Sequence, residues 1–322
     1  MASVACSGRL ARLVLCQVRS LQHSYGAKHR CCLVGVKLQG IPSRPIERED
    51  LDGKTVAIDA PNLMYAFYAV QLLHQEPTPK RRATALRAAT KGVATRIADL
   101  TRHGAKSVVV FDGPPHKLKL AHLKEREATR SVPAIASDEY QWAKDAVRAT
   151  GSPVVEAPHD AEAQACAMAR RGLVDIVATT DWDALAMGAS TLLRNLSASP
   201  QSTEARRWTL VDSTTALAHL KADEATLRAA VVLMGCDYFP GFDGIGPAKA
   251  LKLLAQHGTL ERSLDALACD ATRREAALGA HRLLCEPPHV VSPLRWGSYD
   301  AEALLRAMHG EPARKKVTQT RL

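Results

Sequence analysis

The sequence predicts an α/β fold, a central and mainly parallel sheet flanked by helices, followed by a helical C-terminal region. Two observations carry this expectation. From Lys54 onward, short apolar runs rich in β-branched residues alternate with longer helical patterns, as parallel sheets require. After Asp212 the strand signal fades and helical patterns follow one another. The strand candidates are Lys54–Ile58, Ser107–Phe111, Ser152–Glu156, Val174–Thr179 and Thr191–Leu196. The helix candidates between them are Arg82–Arg102, Asp138–Ala149 and Ala161–Arg171, the last closed by Gly172 at a C-cap position. Further helices are expected at about 214–221, 223–235, 247–257 and 274–284. No internal repeat or long linker separates the two parts, so the helical region is expected to pack onto the sheet.

The chain of 322 residues is long enough to bury a full core. No apolar run reaches the roughly 18 residues of a membrane span. The formal charge of +10 favours a polyanionic partner, but residues 1–34 hold Arg9, Arg12, Arg19, Lys28 and Arg30 and no acid. The rest of the chain is only mildly basic, so charge does not decide the partner. That opening segment has the character of an organelle transit peptide, and a disordered tail or misplaced start accounts for it equally well. None of the eight cysteines forms a CxxC pair, and half lie within the first 32 residues, which disfavours a disulfide framework or a zinc site.

The acids fall at one edge of the predicted sheet. Asp59 follows the first strand, Asp112 the second, and Asp181 and Asp183 a later one. Asp160 and Glu162 open the helix after Ser152–Glu156, and Asp237 ends an apolar helix. Parallel α/β sheets place ligands beyond the carboxyl ends of their strands. Each acid also has a plainer reading. Asp59 and Asp160 are well placed as helix N-caps, Asp112 could open a turn, and Asp181 and Asp183 could be loop acids. Placed together, seven carboxylates repel one another unless cations neutralise them. Magnesium takes oxygen ligands and keeps several waters, and two such ions about 4 Å apart can drive phosphodiester hydrolysis. Seven exceed the ligands required, so some should act through water or through other ligands.

At these residues the chain resembles the flap endonuclease family, which includes the XPG-type nucleases. The segments are GKTVAIDAPNLMYAF, VVVFDGPPHKLK, EAPHDAEAQACAMARRG, ATTDWDALAMG, LLRNL and VVLMGCDYFPGFDGIGPAKALKLL. The resemblance implies a PIN-like nuclease fold, with a nuclease region at 35–151 carrying a short helical arch at about 114–137. It further implies a second nuclease region at 152–310 with a helix–two-turn–helix at about 236–258, and a basic tail at 311–322. It also implies a 5′ nuclease acting on branched or flapped DNA, with two Mg2+ ions, replaceable by Mn2+, held by Asp59, Asp112, Asp160, Glu162, Asp181, Asp183 and Asp237. Asp160 stands where the family usually has glutamate. Lys119 and Arg126 match the basic pair that faces the scissile phosphate, although a solvated mixed-charge helix explains their spacing as simply. Tyr65 matches the aromatic on which a nucleotide stacks. Gly244, Gly246, Lys249 and Lys252 match the duplex-binding element. Gln319 and Leu322 supply half of the usual sliding-clamp motif, so either the sequence is truncated there or clamp binding is weak. A monomer without membrane contact is expected, in a nucleus or nucleoid, or in a mitochondrion if residues 1–34 are a transit peptide.

Overall fold

The structure is a computed structural model that describes residues 38, 40–73, 75–120, 132–198 and 207–311. The N-terminal extension, the middle of the expected arch and the basic tail lie outside the described residues.

Seven strands form one sheet in the order β1-β7-β6-β5-β2-β3-β4. They are β1 (Arg44–Pro45), β2 (Thr55–Asp59), β3 (Lys106–Phe111), β4 (Val154–Glu156), β5 (Ile176–Ala178), β6 (Thr191–Arg194) and β7 (Thr209–Asp212). The pairs β4–β3, β3–β2, β2–β5 and β5–β6 are parallel, whereas β7 and β1 add an antiparallel edge. The five expected strands are all present: β4, β5 and β6 are shorter by two or three residues, β2 is shifted by one, and β3 is longer by one. The apolar runs are explained by burial on both faces. Val56 and Ile58 face one core with Val109 and Phe111, while Ala57 faces the other with Val108 and Val110.

Helices α1 (Ala60–Leu72), α2 (Pro79–Arg102) and α3 (Gln141–Ala149) cover the first face, and α4 (Ala161–Arg170) packs on the second against β2, β3 and β5. Helix α2 starts three residues before the expected Arg82, because Thr78 accepts from the Arg81 amide and Pro79 takes the first helical position. A short α5 (Asp183–Ala186) follows β5. Then come α6 (Ser213–Leu220), α7 (Glu224–Met234), α8 (Pro247–His257), α9 (Leu260–Ala266), α10 (Ala271–Cys285) and α11 (Ala301–His309). No helix among the described residues is long and apolar enough to cross a membrane.

Between α10 and α11 the chain runs back along the sheet without regular structure. The buried Gln164 side chain on α4 bonds both backbone groups of Val290, donating to its carbonyl at 3.0 Å and accepting from its amide at 2.7 Å. Gly297 and Asp300 then donate backbone bonds to Gly151 and Ala149 at 2.8 Å each, and α11 packs on α3 and α2.

The sheet reverses its order of connection between β2 and β5: the chain steps outward from β2 through β3 to β4, then returns to the other side. That crevice at the strand carboxyl ends is where open α/β sheets hold ligands. Register aligns the ends, pairing Asp59 with Val110 and Ile58 with Ala178.

Candidate active site

Asp59 ends β2 and caps α1, its Oδ1 accepting from the Asn62 amide at 3.2 Å. Its Oδ2 accepts from the Thr179 hydroxyl, also at 3.2 Å. Thr179, just beyond β5, lies 3.4 Å from Glu162 Oε1 and accepts from the Asp181 amide, so one hydroxyl ties three acid-bearing segments together. Asp181 in turn accepts from the Asp183 amide at 3.3 Å.

The expected cap on α4 is exchanged. Asp160 occupies the N-cap position but makes no capping bond. Asp112, from the end of β3, accepts instead from the Ala161 amide at 2.8 Å. Asp160 is thereby free to turn toward the loop after β3, where Lys119 donates to its Oδ1 and the Tyr238 hydroxyl donates to its Oδ2 at 2.7 Å. Lys119 also reaches Asp237 Oδ2 at 2.8 Å.

This geometry depends on Gly113. The β3 loop crosses the β4 loop so closely that a Cβ on Gly113 would lie 2.2 Å from the Ala157 carbonyl oxygen. That oxygen and the Pro158 carbonyl oxygen, 2.9 Å away, are backbone atoms and cannot rotate away. Gly113→Ala is therefore expected to cost about 1–3 kcal/mol by overpacking, read as a lower thermal midpoint, and to misplace Asp112 and Asp160.

Electrostatics mark the site further. Burial, then the neighbouring Asp112 charge, pushes Asp59 up to about 7. Burial raises Asp112 to about 6, and burial with repulsion from Asp237 raises Asp181 to about 6. Glu162 is lifted well above its usual value by burial and by Asp181 and Asp59. Lys119 shows the converse: burial alone would lower it, but Asp237, Asp160 and Asp112 more than offset that and raise it. Buried carboxylates that resist ionisation together, with one ammonium already drawn among them, make a site that favours added cations. Among the described residues no group of three or more acids, histidines or cysteines is spaced to hold a metal ion as it stands. The oxygen-only donor set nonetheless fits magnesium, which binds through a few carboxylates and completes its shell with water.

Residues 36–132 match the XPG N-terminal domain and residues 151–237 the XPG I-region. Flap endonuclease 1 of Pyrobaculum aerophilum is 34% identical over 256 residues, 69% of this chain and 73% of that one. The chain belongs to the flap endonuclease family. The Chlamydomonas reinhardtii flap endonuclease 1 is 31% identical over 298 residues, covering 82% of this chain and 74% of its own length. Among solved structures, flap endonuclease-1 from Methanococcus jannaschii superposes with a TM-score of 0.67 at 28% identity, over 84% of this chain and 91% of that one. The catalytic core of Rad2 in complex with DNA substrate shares the fold, with a TM-score of 0.64 at 22% identity and the same coverages. Family membership makes the chain a structure-specific nuclease, a phosphodiester hydrolase acting on DNA.

For this flap endonuclease relative, the structure brings Asp59, Asp112, Asp160, Glu162, Asp181, Asp183, Asp237 and Lys119 to the β2–β5 crevice and its rim. Arg126 lies outside the described residues. Tyr65 sits half-buried on α1, its hydroxyl donating to the Val132 carbonyl at 3.4 Å and its ring 6.4 Å from that of Tyr68. Gly244 adopts a left-handed φ of 72°, and Gly246 precedes Pro247 at the start of α8. Lys249 and Lys252 line a cavity of about 590 Å³ beside that helix.

Sequence reasoning missed Thr179, Tyr238 and Arg194 as parts of the site. The Arg194 guanidinium, on β6, stacks 3.7 Å over the Trp182 ring between Asp181 and Asp183, and burial lowers its pKa to about 10. The spacing of the acids gives no hint of these three. Thr179 and Tyr238 sit beside Asp181 and Asp237 in sequence, but the acids they bond, Asp59 and Asp160, lie 120 and 78 residues away.

Proposed function

We propose that this chain is a 5′ flap endonuclease with associated 5′-3′ exonuclease activity, using two Mg2+ ions, with Mn2+ able to substitute. The observation that carries this reading is the set of buried carboxylates gathered at the sheet crevice, raised in pKa and faced by Lys119. Asp59, Asp112, Glu162, Asp181, Asp183 and Asp237 would hold the ions, and Asp160 would act through bound water or through Lys119. When bound, the ions would supply an activated water and stabilise the leaving oxygen.

The chain's own residues do the rest. Lys119 presents an obligate cation at the rim, suited to orient the scissile phosphate and offset its developing charge. Arg126 would extend that cationic face. Tyr65 would stack a nucleotide near the cut, for roughly 1–3 kcal/mol per base. Gly244 and Gly246 allow backbone amides at the start of α8 to approach a phosphate of the duplex, with Lys249 and Lys252 adding charge.

A 5′-labelled flap incubated with magnesium tests the reading. Release of product at the branch supports it. Stepwise mononucleotides would point to an exonuclease, cutting confined to four-way junctions to a junction enzyme, and binding without cleavage to a scaffold. Lys119→Met is expected to slow single-turnover cleavage by ~10²-fold, with flap affinity nearly unchanged. An unchanged rate would remove Lys119 from the site.

A further inference from the structure

The two oxygens of Asp160 are both engaged by side-chain donors of this chain: Lys119 on Oδ1 and the Tyr238 hydroxyl on Oδ2. Tyr238 is 6% exposed, so its hydroxyl has little water to turn to if that bond is lost. Its ring is braced edge-on by His116, with centroids 6.2 Å apart, and His116 is itself braced by His159 at 5.0 Å. Lys119 has a second carboxylate within reach, Asp237, the residue that directly precedes Tyr238. A flexible four-carbon amine is thus held at two points, and one of those points is oriented by a rigid aromatic hydroxyl. A carboxylate fixed at one oxygen presents the other in a single direction, which is what a lysine needs to keep one rotamer.

We propose that Tyr238 is a positioning residue that, through Asp160, fixes the Lys119 ammonium at the rim of the crevice. Asp160 serves as the anchor of Lys119, and its short arm suits it to meet both donors. The assignment of a role in cutting rests on the nuclease reading above, whereas the holding of Lys119 does not.

Two measurements on the full chain separate those levels. The first is the rate at which a lysine-acylating reagent labels Lys119, followed by peptide mass spectrometry. Tyr238→Phe is expected to raise that rate about fivefold relative to the other lysines, and an unchanged rate would overturn the proposal whether or not the protein cuts DNA. The second is a double-mutant cycle in single-turnover flap cleavage. Tyr238→Phe alone is expected to cost roughly tenfold at unchanged flap affinity, in keeping with one hydrogen bond to a charged group. In a Lys119→Met background it should cost nothing more. Equal losses in both backgrounds would show that Tyr238 acts independently of Lys119 and would sink the idea. His116→Leu, which removes the edge-on brace of the Tyr238 ring, provides the same labelling test and the same cycle if the phenylalanine variant does not fold, with the same two outcomes. Failure of the wild-type chain to cut any branched DNA would count against the nuclease reading and leave the labelling result to decide this one.

Discussion

Alanine in place of Asp181 or Asp183 is expected to abolish flap cleavage while leaving flap binding within a few-fold of wild type. Asp181 sits on the turn that follows β5 and Asp183 opens α5; the Asp183 amide bonds Asp181, whose own amide is linked to Asp59 through Thr179. If they hold a cation, its contribution is made to the charge that develops during the reaction, and the bound ground state loses little. A loss of ~10³-fold or more corresponds to about 4 kcal/mol of transition-state stabilisation. Single-turnover rates and a separate binding titration measure the two quantities. Equal loss of both would argue against a direct metal role. Because Asp183 is 3% exposed, its removal also deletes a buried charge from a repelling set, so the variant should be no less stable than the wild type.

The second large effect is on stability. Asp59, Asp112 and Asp181 have folded-state pKa values of about 7, 6 and 6, raised from an ordinary value near 3.8. Between pH 4 and 7 the folded chain therefore holds more protons at these sites than the unfolded chain. Stability from this source is present below about pH 4 and is lost as pH rises through the folded values. In the absence of divalent ions, the thermal midpoint should fall between pH 5 and 8. At about 1.4 kcal/mol per pKa unit the sites together amount to several kcal/mol, and roughly 2–4 °C accompanies each kcal/mol in a chain of this size. If the ionised folded site holds magnesium as proposed, the ion should restore the midpoint at pH 8 far more than at pH 5. A calorimetric series with and without 10-fold changes in Mg2+ reads this directly. A midpoint that rose with pH in metal-free buffer would contradict the repulsion.

The parallel core was legible because its signal is local. Val56, Ala57 and Ile58 alternate between two buried faces, and each face demands an apolar residue, so the strand reads as an unbroken apolar run. Asp59 and Asp112 were legible for the same reason, since each ends or directly follows such a run, and the other acids were legible from the motif blocks around them. The antiparallel edge was not: β1 is two exposed residues, Arg44 and Pro45, that become a strand only by pairing with β7. The early start of α2 was written in Thr78-Pro79, but its first turn is charged and exposed, which hid it from an apolar count. The exchange of caps between Asp112 and Asp160, and the bond from Tyr238 to Asp160, join residues 49 and 78 apart. No local pattern encodes such pairs. They follow from the crossing that Gly113 permits.

The return of the chain after α10 has a consequence for the order of events during synthesis. Helices α2 and α3, complete in sequence by residue 149, are covered by α11, and the amide of Gln164 finds its partners only at Val290. Until roughly the last tenth of the protein leaves the ribosome, the N-terminal half carries an uncovered helical face. The helix that bears Glu162 likewise lacks the backbone that the Gln164 amide bonds. A nascent or prematurely released fragment ending before Val290 would therefore carry the acids without the contacts that brace α2, α3 and α4.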